Sequence, residues 1–270
     1  MSEQAGMKEP NFFNFDQDHP WLRTRTEDEY LALFRDAPQG AEFLGEATTN
    51  YLYSEVAAKE LLHVSPDARL VVTVRNPIEM VQSLFNQYTK VHGENVSSFE
   101  EGWVLQHKRL LGQVMLPSGW SDPKLLQYGA IAKVGEQIER LLNYADADQV
   151  HVIVYDDFAR DPKTVYCDLL NFLGLVDDGR FEFPTLNQRR NYRFPTVHKI
   201  LGHVESIRKK IGVSGGWGIN ALIDRFNVIE GPASQVVGKD LMLEMVEYFN
   251  KDVTLLSNLL GRDLTHWMDV

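Results

Sequence analysis

Arg69-Leu70-Val71-Val72-Thr73-Val74-Arg75-Asn76-Pro77-Ile78-Glu79 is the stretch that decides the fold. A short apolar, β-branched run closed by a turn signal reads as a buried strand over Arg69–Val74. A helix start follows at once: asparagine suits the N-cap, proline the first helical position and glutamate the third. A strand that feeds straight into a helix belongs to a sheet whose strands run parallel and whose ligands bind outside their carboxyl ends. Arg75 stands at that edge. Ser83, seven residues past Asn76, lies two helical turns on and shares its face. A guanidinium, a hydroxyl and a helix N-terminus can converge on one phosphate there. The same pattern also describes a surface arginine and a serine on a solvated helix face.

Working outward, Val150–Tyr155 is a second strand-like run, and Asp161-Pro162 opens a helix that stops at Gly174. Helical stretches are expected over Ser54–His63, Phe99–Leu111, Tyr128–Tyr144 and Leu241–Leu260, the last ending at Gly261. Alternating strands and helices predict a three-layer α/β/α architecture around a central parallel sheet. No linker stands out, so one domain over residues 1–270 is expected, with Arg180–Val236 a mixture of helices and loops.

Bulk properties narrow the function. A net charge of −11 argues against nucleic acid as a partner, because a phosphate backbone needs a basic surface, though a small anion in a local basic pocket is compatible with it. The longest apolar runs fall far short of the roughly 18 residues of a membrane span. Met1–Pro10 lacks the basic start and apolar stretch of a signal peptide. Cys167, the single cysteine, permits no intrachain disulfide, so a reducing, cytoplasmic setting is expected. The eight histidines form no H-x-H or H-E-x-x-H group, and no metal is expected. Nothing in the sequence sets the oligomeric state. Gly212-Val213-Ser214-Gly215-Gly216 matches the nucleophile elbow G-x-S-x-G, but the charged Glu205–Lys210 precedes it where that motif requires a buried strand.

Five segments in chain order carry a family resemblance: Lys8-Glu9-Pro10-Asn11-Phe12-Phe13, Gly45-Glu46-Ala47-Thr48-Thr49-Asn50-Tyr51-Leu52, Arg75-Asn76-Pro77 through Ser83, Tyr155-Asp156-Asp157 with Asp161-Pro162 and Phe172-Leu173-Gly174, and Gly261-Arg262-Asp263-Leu264 with Trp267. Together they resemble the bacterial and heparan-type branch of the sulfotransferases that use 3'-phosphoadenosine 5'-phosphosulfate (PAPS). The resemblance implies a nucleotide-kinase-like fold of the P-loop type and transfer of a sulfuryl group to a hydroxyl or amine of a carbohydrate, lipid or small-molecule acceptor.

It further implies that Arg75 and Ser83 grip the 3'-phosphate of the donor and that Glu9 is the general base, with Lys8 and Glu46 beside the acceptor. Glu46 reads as a second carboxylate at a strand end, an alternative base that ranks behind its reading as a contact to the acceptor or a supporting group. Asn187–Arg193 falls where the family has a basic and aromatic loop over the nucleotide, which gives Arg190 and Arg193 to phosphate and Tyr192 to adenine. Two departures stand out. Several relatives have lysine where this chain has Ala47, and the P-K-x-G-T-[ST] loop that cradles the 5'-phosphosulfate does not occur among the 270 residues. The 270 residues therefore correspond to a domain without its first strand, phosphosulfate loop and first helix, and weak or no transfer is expected of them alone. A protein that keeps the fold and binds a nucleotide without catalysis is the other reading.

Overall fold

The computed structural model describes residues 9–18, 24, 26–91, 93–184, 190–192, 228–230 and 237–269. The chain divides into two compact units, one of Met1–Arg180 with Val237–Val270 and one of Phe181–Val236. In the first unit the described helices are α1 (Glu27–Ala32), α2 (Ala57–Val64), α3 (Pro77–Lys90), α4 (Phe99–Leu110), α5 (Tyr128–Ala132), α6 (Val134–Leu142), α7 (Tyr155–Arg160), α8 (Pro162–Leu173) and α9 (Lys239–Leu260). Its strands are β1 (Leu70–Val74) and β2 (Val150–Val154). In the second unit β3 (Arg190–Tyr192) pairs antiparallel with β4 (Val228–Glu230).

β1 and β2 run parallel, with Leu70 opposite Val150 and Val74 opposite Val154. Helices flank this sheet, which gives the α/β architecture that the alternating pattern predicts. The strands end in register, and a helix begins within three residues of each. Val74 and Val154 are buried and join Val81 and Phe85 of α3, Tyr128 of α5, Phe249 and Leu256 of α9, and Trp267 in one apolar core.

The expected ends of several helices are met for visible reasons. Asn76 Oδ1 caps α3 by accepting from the amides of Ile78 (2.9 Å) and Glu79 (3.4 Å). Asp161 does the same for α8 through Thr164 N–H at 3.1 Å. Gly174 and Gly261 close α8 and α9 at φ 72° and 59°, left-handed values that glycine adopts without steric cost.

Three expectations are corrected. The helix expected over Tyr128–Tyr144 is two helices, α5 and α6. Asp252 of α9 enters at the break and accepts from the amides of Gly135 (3.0 Å) and Glu136 (2.8 Å), capping a new helix start from a distant element. The approach needs glycine, since a Cβ on Gly135 would meet the Asp252 carbonyl oxygen at 2.4 Å. The β1 run is buried on one side only: Val72 and Val74 pack into the core, whereas Val71 is 44% exposed and Thr73 is exposed as well. Finally, Glu46 does not end a strand. It lies in extended, unpaired chain before a 3-10 turn at Thr49–Tyr51.

A buried ion pair ties the loop before α4 to the core. Arg109 donates to Glu94 at 2.8 and 2.6 Å and to Asn95 at 2.8 Å, and Tyr128 donates to Glu94 at 2.5 Å. Two desolvated charges survive there because both terminal nitrogens of Arg109 and both carboxylate oxygens of Glu94 find partners, although Arg109 Nε has none.

Candidate functional site

At the carboxyl edge of the sheet the register sets Arg75, which follows Val74, beside Tyr155, which follows Val154. The Arg75 guanidinium lies 4.8 Å from the Tyr155 ring centroid, a cation–π distance. It also pairs with Glu79, Nε to Oε2 at 2.9 Å and a terminal nitrogen to the same oxygen at 2.5 Å. Arg75 is thus folded along the first turn of α3. Glu79 and Ser83, four residues apart, share one face of the helix, and Ser83 is partly buried. The donor set suits an anion: a cation and a hydroxyl on a partly open edge. The amides of Ile78 and Glu79 are already capped by Asn76, which leaves side chains to do the holding.

Two further segments close on this edge. Asn76 Nδ2 donates to the Trp267 carbonyl at 3.2 Å, and Trp267 Nε1 donates to Asp156 at 2.7 Å. Arg262 forks onto Asp157, with one contact at 3.0 Å, and its hydrogen bonds hold that carboxyl below the usual carboxylate range. Segments that are far apart in sequence, around residues 75, 156 and 265, therefore meet at the ends of two strands.

Glu9 lies on an irregular segment, residues 9–18. Its carboxylate accepts from Thr49 Oγ1 at 3.3 Å, and its carbonyl accepts from Asn11 Nδ2 at 3.1 Å. Burial first, and then the Glu9 charge, push the Tyr88 phenol of α3 upward.

Glu46 is half-buried among hydroxyls. Thr48 donates to its Oε2 at 3.2 Å, Tyr30 reaches its Oε1 at 3.5 Å, and Tyr51 is a third partner. Burial pushes this carboxyl above its usual range, and the hydroxyls pull the other way. Thr48 Oγ1 in turn accepts from Asn11 N–H at 3.2 Å, and Tyr51 OH accepts from Phe12 N–H at 3.1 Å and Phe13 N–H at 3.4 Å. The rings agree with this arrangement, Phe12 stacking on Tyr30 with centroids 4.5 Å apart.

Of the residues expected in the site, Arg75, Ser83, Glu9 and Glu46 fall in the first unit. Lys8 and Arg193 lie outside the described residues, as does the whole of Gly212–Gly216. Arg190 and Tyr192 are described by their backbone, which is strand rather than loop. Sequence reasoning missed Glu79, Tyr155 and the Thr48–Tyr51 hydroxyls. A signal for Tyr155 was available: it follows its strand as Arg75 follows the other. Among the described residues, no group of three or more His, Cys, Asp or Glu side chains could hold a metal ion, and no helix is long and apolar enough to cross a membrane.

Comparison with known proteins gives a consistent picture. The family model described as the sulfotransferase family matches residues 3–179. A bifunctional heparan sulfate N-deacetylase/N-sulfotransferase 4 of Mus musculus is 25% identical over 175 residues, which is 63% of this chain and 18% of that protein. The chain thus spans less than a fifth of that relative's length. The crystal structure of a sulfotransferase from Alicyclobacillus acidocaldarius superimposes with a TM-score of 0.67 over 98% of this chain and 87% of that one, at 24% identity, a likeness of fold.

Proposed function

The chain belongs to the sulfotransferase family, and on that premise we propose that it moves a sulfuryl group from PAPS to a hydroxyl or amine of a carbohydrate, lipid or small-molecule acceptor. The observation that carries this reading is Arg75 at the carboxyl edge of a parallel strand pair, with Ser83 on the helix that follows it. Charge-assisted hydrogen bonds from a guanidinium are the strong kind, and an arginine fork suits a phosphate. Arg75 and Ser83 hold the 3'-phosphate, and Glu79 gives up its partner when that anion arrives.

PAPS supplies the sulfuryl group. Glu9 takes the acceptor's proton as the acceptor oxygen or nitrogen attacks sulfur in line. The new bond to sulfur forms while the bond from sulfur to the bridging oxygen breaks, and that oxygen leaves with the electron pair on adenosine 3',5'-bisphosphate. A neutral hydroxyl is a weak nucleophile until its proton is accepted, which is why a carboxylate is required at this point. Arg190 and Arg193 serve the donor phosphates, Tyr192 the adenine ring, and Lys8 the acceptor side. The mouse relative, named for heparan sulfate, makes an N-desulfated heparan oligosaccharide the first acceptor to try.

The test is transfer of label from sulfur-labelled PAPS to that oligosaccharide and to simple hydroxyl acceptors, by protein that carries the phosphosulfate loop, wild type and Glu9→Gln. Wild-type transfer that the substitution reduces about a hundredfold or more supports the assignment, in keeping with the usual contribution of a general base. Normal turnover by Glu9→Gln removes Glu9 from the role. One alternative is a fold that binds nucleotide without transferring sulfate. Tight binding of adenosine 3',5'-bisphosphate with no label transferred to any acceptor would select it.

A further inference from the structure

Irregular chain must find partners for its amides outside regular structure. Residues 9–18 form no helix or strand, yet three successive N–H groups, those of Asn11, Phe12 and Phe13, are taken by hydroxyls of one distant segment, Thr48 and Tyr51. A hydroxyl has one proton to give. Thr48 gives its proton to Glu46, and Tyr51 has the same carboxylate as its partner. Through Thr48 the direction is therefore set, from the Asn11 amide to the hydroxyl to the carboxylate. A hydroxyl that donates to an anion is also a better acceptor, so each link strengthens the next.

Thr49, between the two anchoring hydroxyl residues, donates to the Glu9 carboxylate itself at 3.3 Å. The stretch 48–51 thus grips both the main chain that carries Glu9 and the side chain. Asn11 sits at φ 51°, a left-handed turn that asparagine tolerates better than other side chains. Its Nδ2 returns to the Glu9 carbonyl at 3.1 Å.

We infer that Glu46, Thr48 and Tyr51 are positioning residues: they lock the backbone of Asn11–Phe13 and so aim the Glu9 carboxylate, and Glu46 works through them rather than by touching the acceptor. The catalytic half of this inference rests on the reading of Glu9 as the base, whereas the anchoring half does not.

Amide hydrogen exchange, read by NMR on the full chain, tests the anchoring. Tyr51→Phe is expected to speed exchange at Phe12 and Phe13, and Thr48→Val at Asn11, each by about fivefold to tenfold, the value of one net hydrogen bond. Thr48→Ser keeps the hydroxyl and restores Asn11 protection, a rescue that general loosening of the fold would not produce. In the labelled PAPS assay Tyr51→Phe should lower kcat while the KM for PAPS stays at its wild-type value. Unchanged protection at all three amides in Tyr51→Phe and Thr48→Val overturns the anchoring. Lost protection with unchanged kcat overturns the positioning role, and normal turnover by Glu9→Gln removes its catalytic half alone.

Discussion

The two ends of the candidate site are built from different material. Around Glu9, main-chain amides, hydroxyls and the half-buried Glu46 carboxylate satisfy one another. Around Arg75, a guanidinium that is 27% exposed rests on a Glu79 side chain that is 54% exposed. An exposed ion pair contributes roughly 0–1 kcal/mol, because water and salt compete for both partners. Buried polar groups left without partners cost more, about 1–3 kcal/mol each. The contrast teaches a division of labour: the main chain next to the base is held by part-buried contacts that stay, and the anion site is held by a contact weak enough for a ligand to replace.

The largest effect should come from breaking the fixed end. Glu46→Ala strands the Tyr30, Thr48 and Tyr51 hydroxyls and is expected to lower unfolding stability by about 2–3 kcal/mol in denaturant titrations. Affinity for adenosine 3',5'-bisphosphate should remain at its wild-type value. Equal losses of both would dissolve the distinction between the two ends.

Glu46 also makes a prediction about pH. Burial raises its carboxyl in the folded chain. Between the unfolded and folded values the native state then holds more protons than the unfolded state. This group's contribution is therefore fully present below the unfolded value and is lost as pH rises through the folded one. Glu46→Gln, which cannot titrate, should flatten that part of the stability profile across the carboxylate range. An identical pH dependence in wild type and variant would show that burial does not govern this group.

The smallest effect belongs to the open end. Glu79→Gln frees Arg75 from its internal anion and should raise affinity for adenosine 3',5'-bisphosphate by about threefold, with unfolding stability changed by less than ~1 kcal/mol. A loss of affinity would mean that Glu79 holds Arg75 ready rather than occupying it.

Much of this was legible in the sequence wherever the cause was local. Asn76-Pro77, Asp161-Pro162, Gly174 and Gly261 mark their helix ends through their own backbone or side-chain chemistry, and the structure puts the ends there. What could not be read came from partners distant in the chain. The break between α5 and α6 is made by Asp252, more than a hundred residues away. The open face at Val71 depends on what packs against β1, which a run of β-branched residues does not reveal. Glu46 stood out as a carboxylate, but its partners come from residues 30, 48 and 51, and no spacing rule joins them to Asn11. Ser83 was placed by helical period alone, and Glu79 was read only as part of the helix start, although the same period puts it between Arg75 and Ser83.

The central claim is that Arg75 holds a phosphate on the ribose of the donor. The direct measurement is calorimetric titration of wild type and Arg75→Ala with adenosine 3',5'-bisphosphate and with adenosine 5'-monophosphate, which lacks that phosphate. The account predicts that wild type prefers the bisphosphate by about tenfold or more, the worth of a charge-assisted contact, and that Arg75→Ala loses the preference. Equal preference in both proteins, or none in wild type, would contradict it.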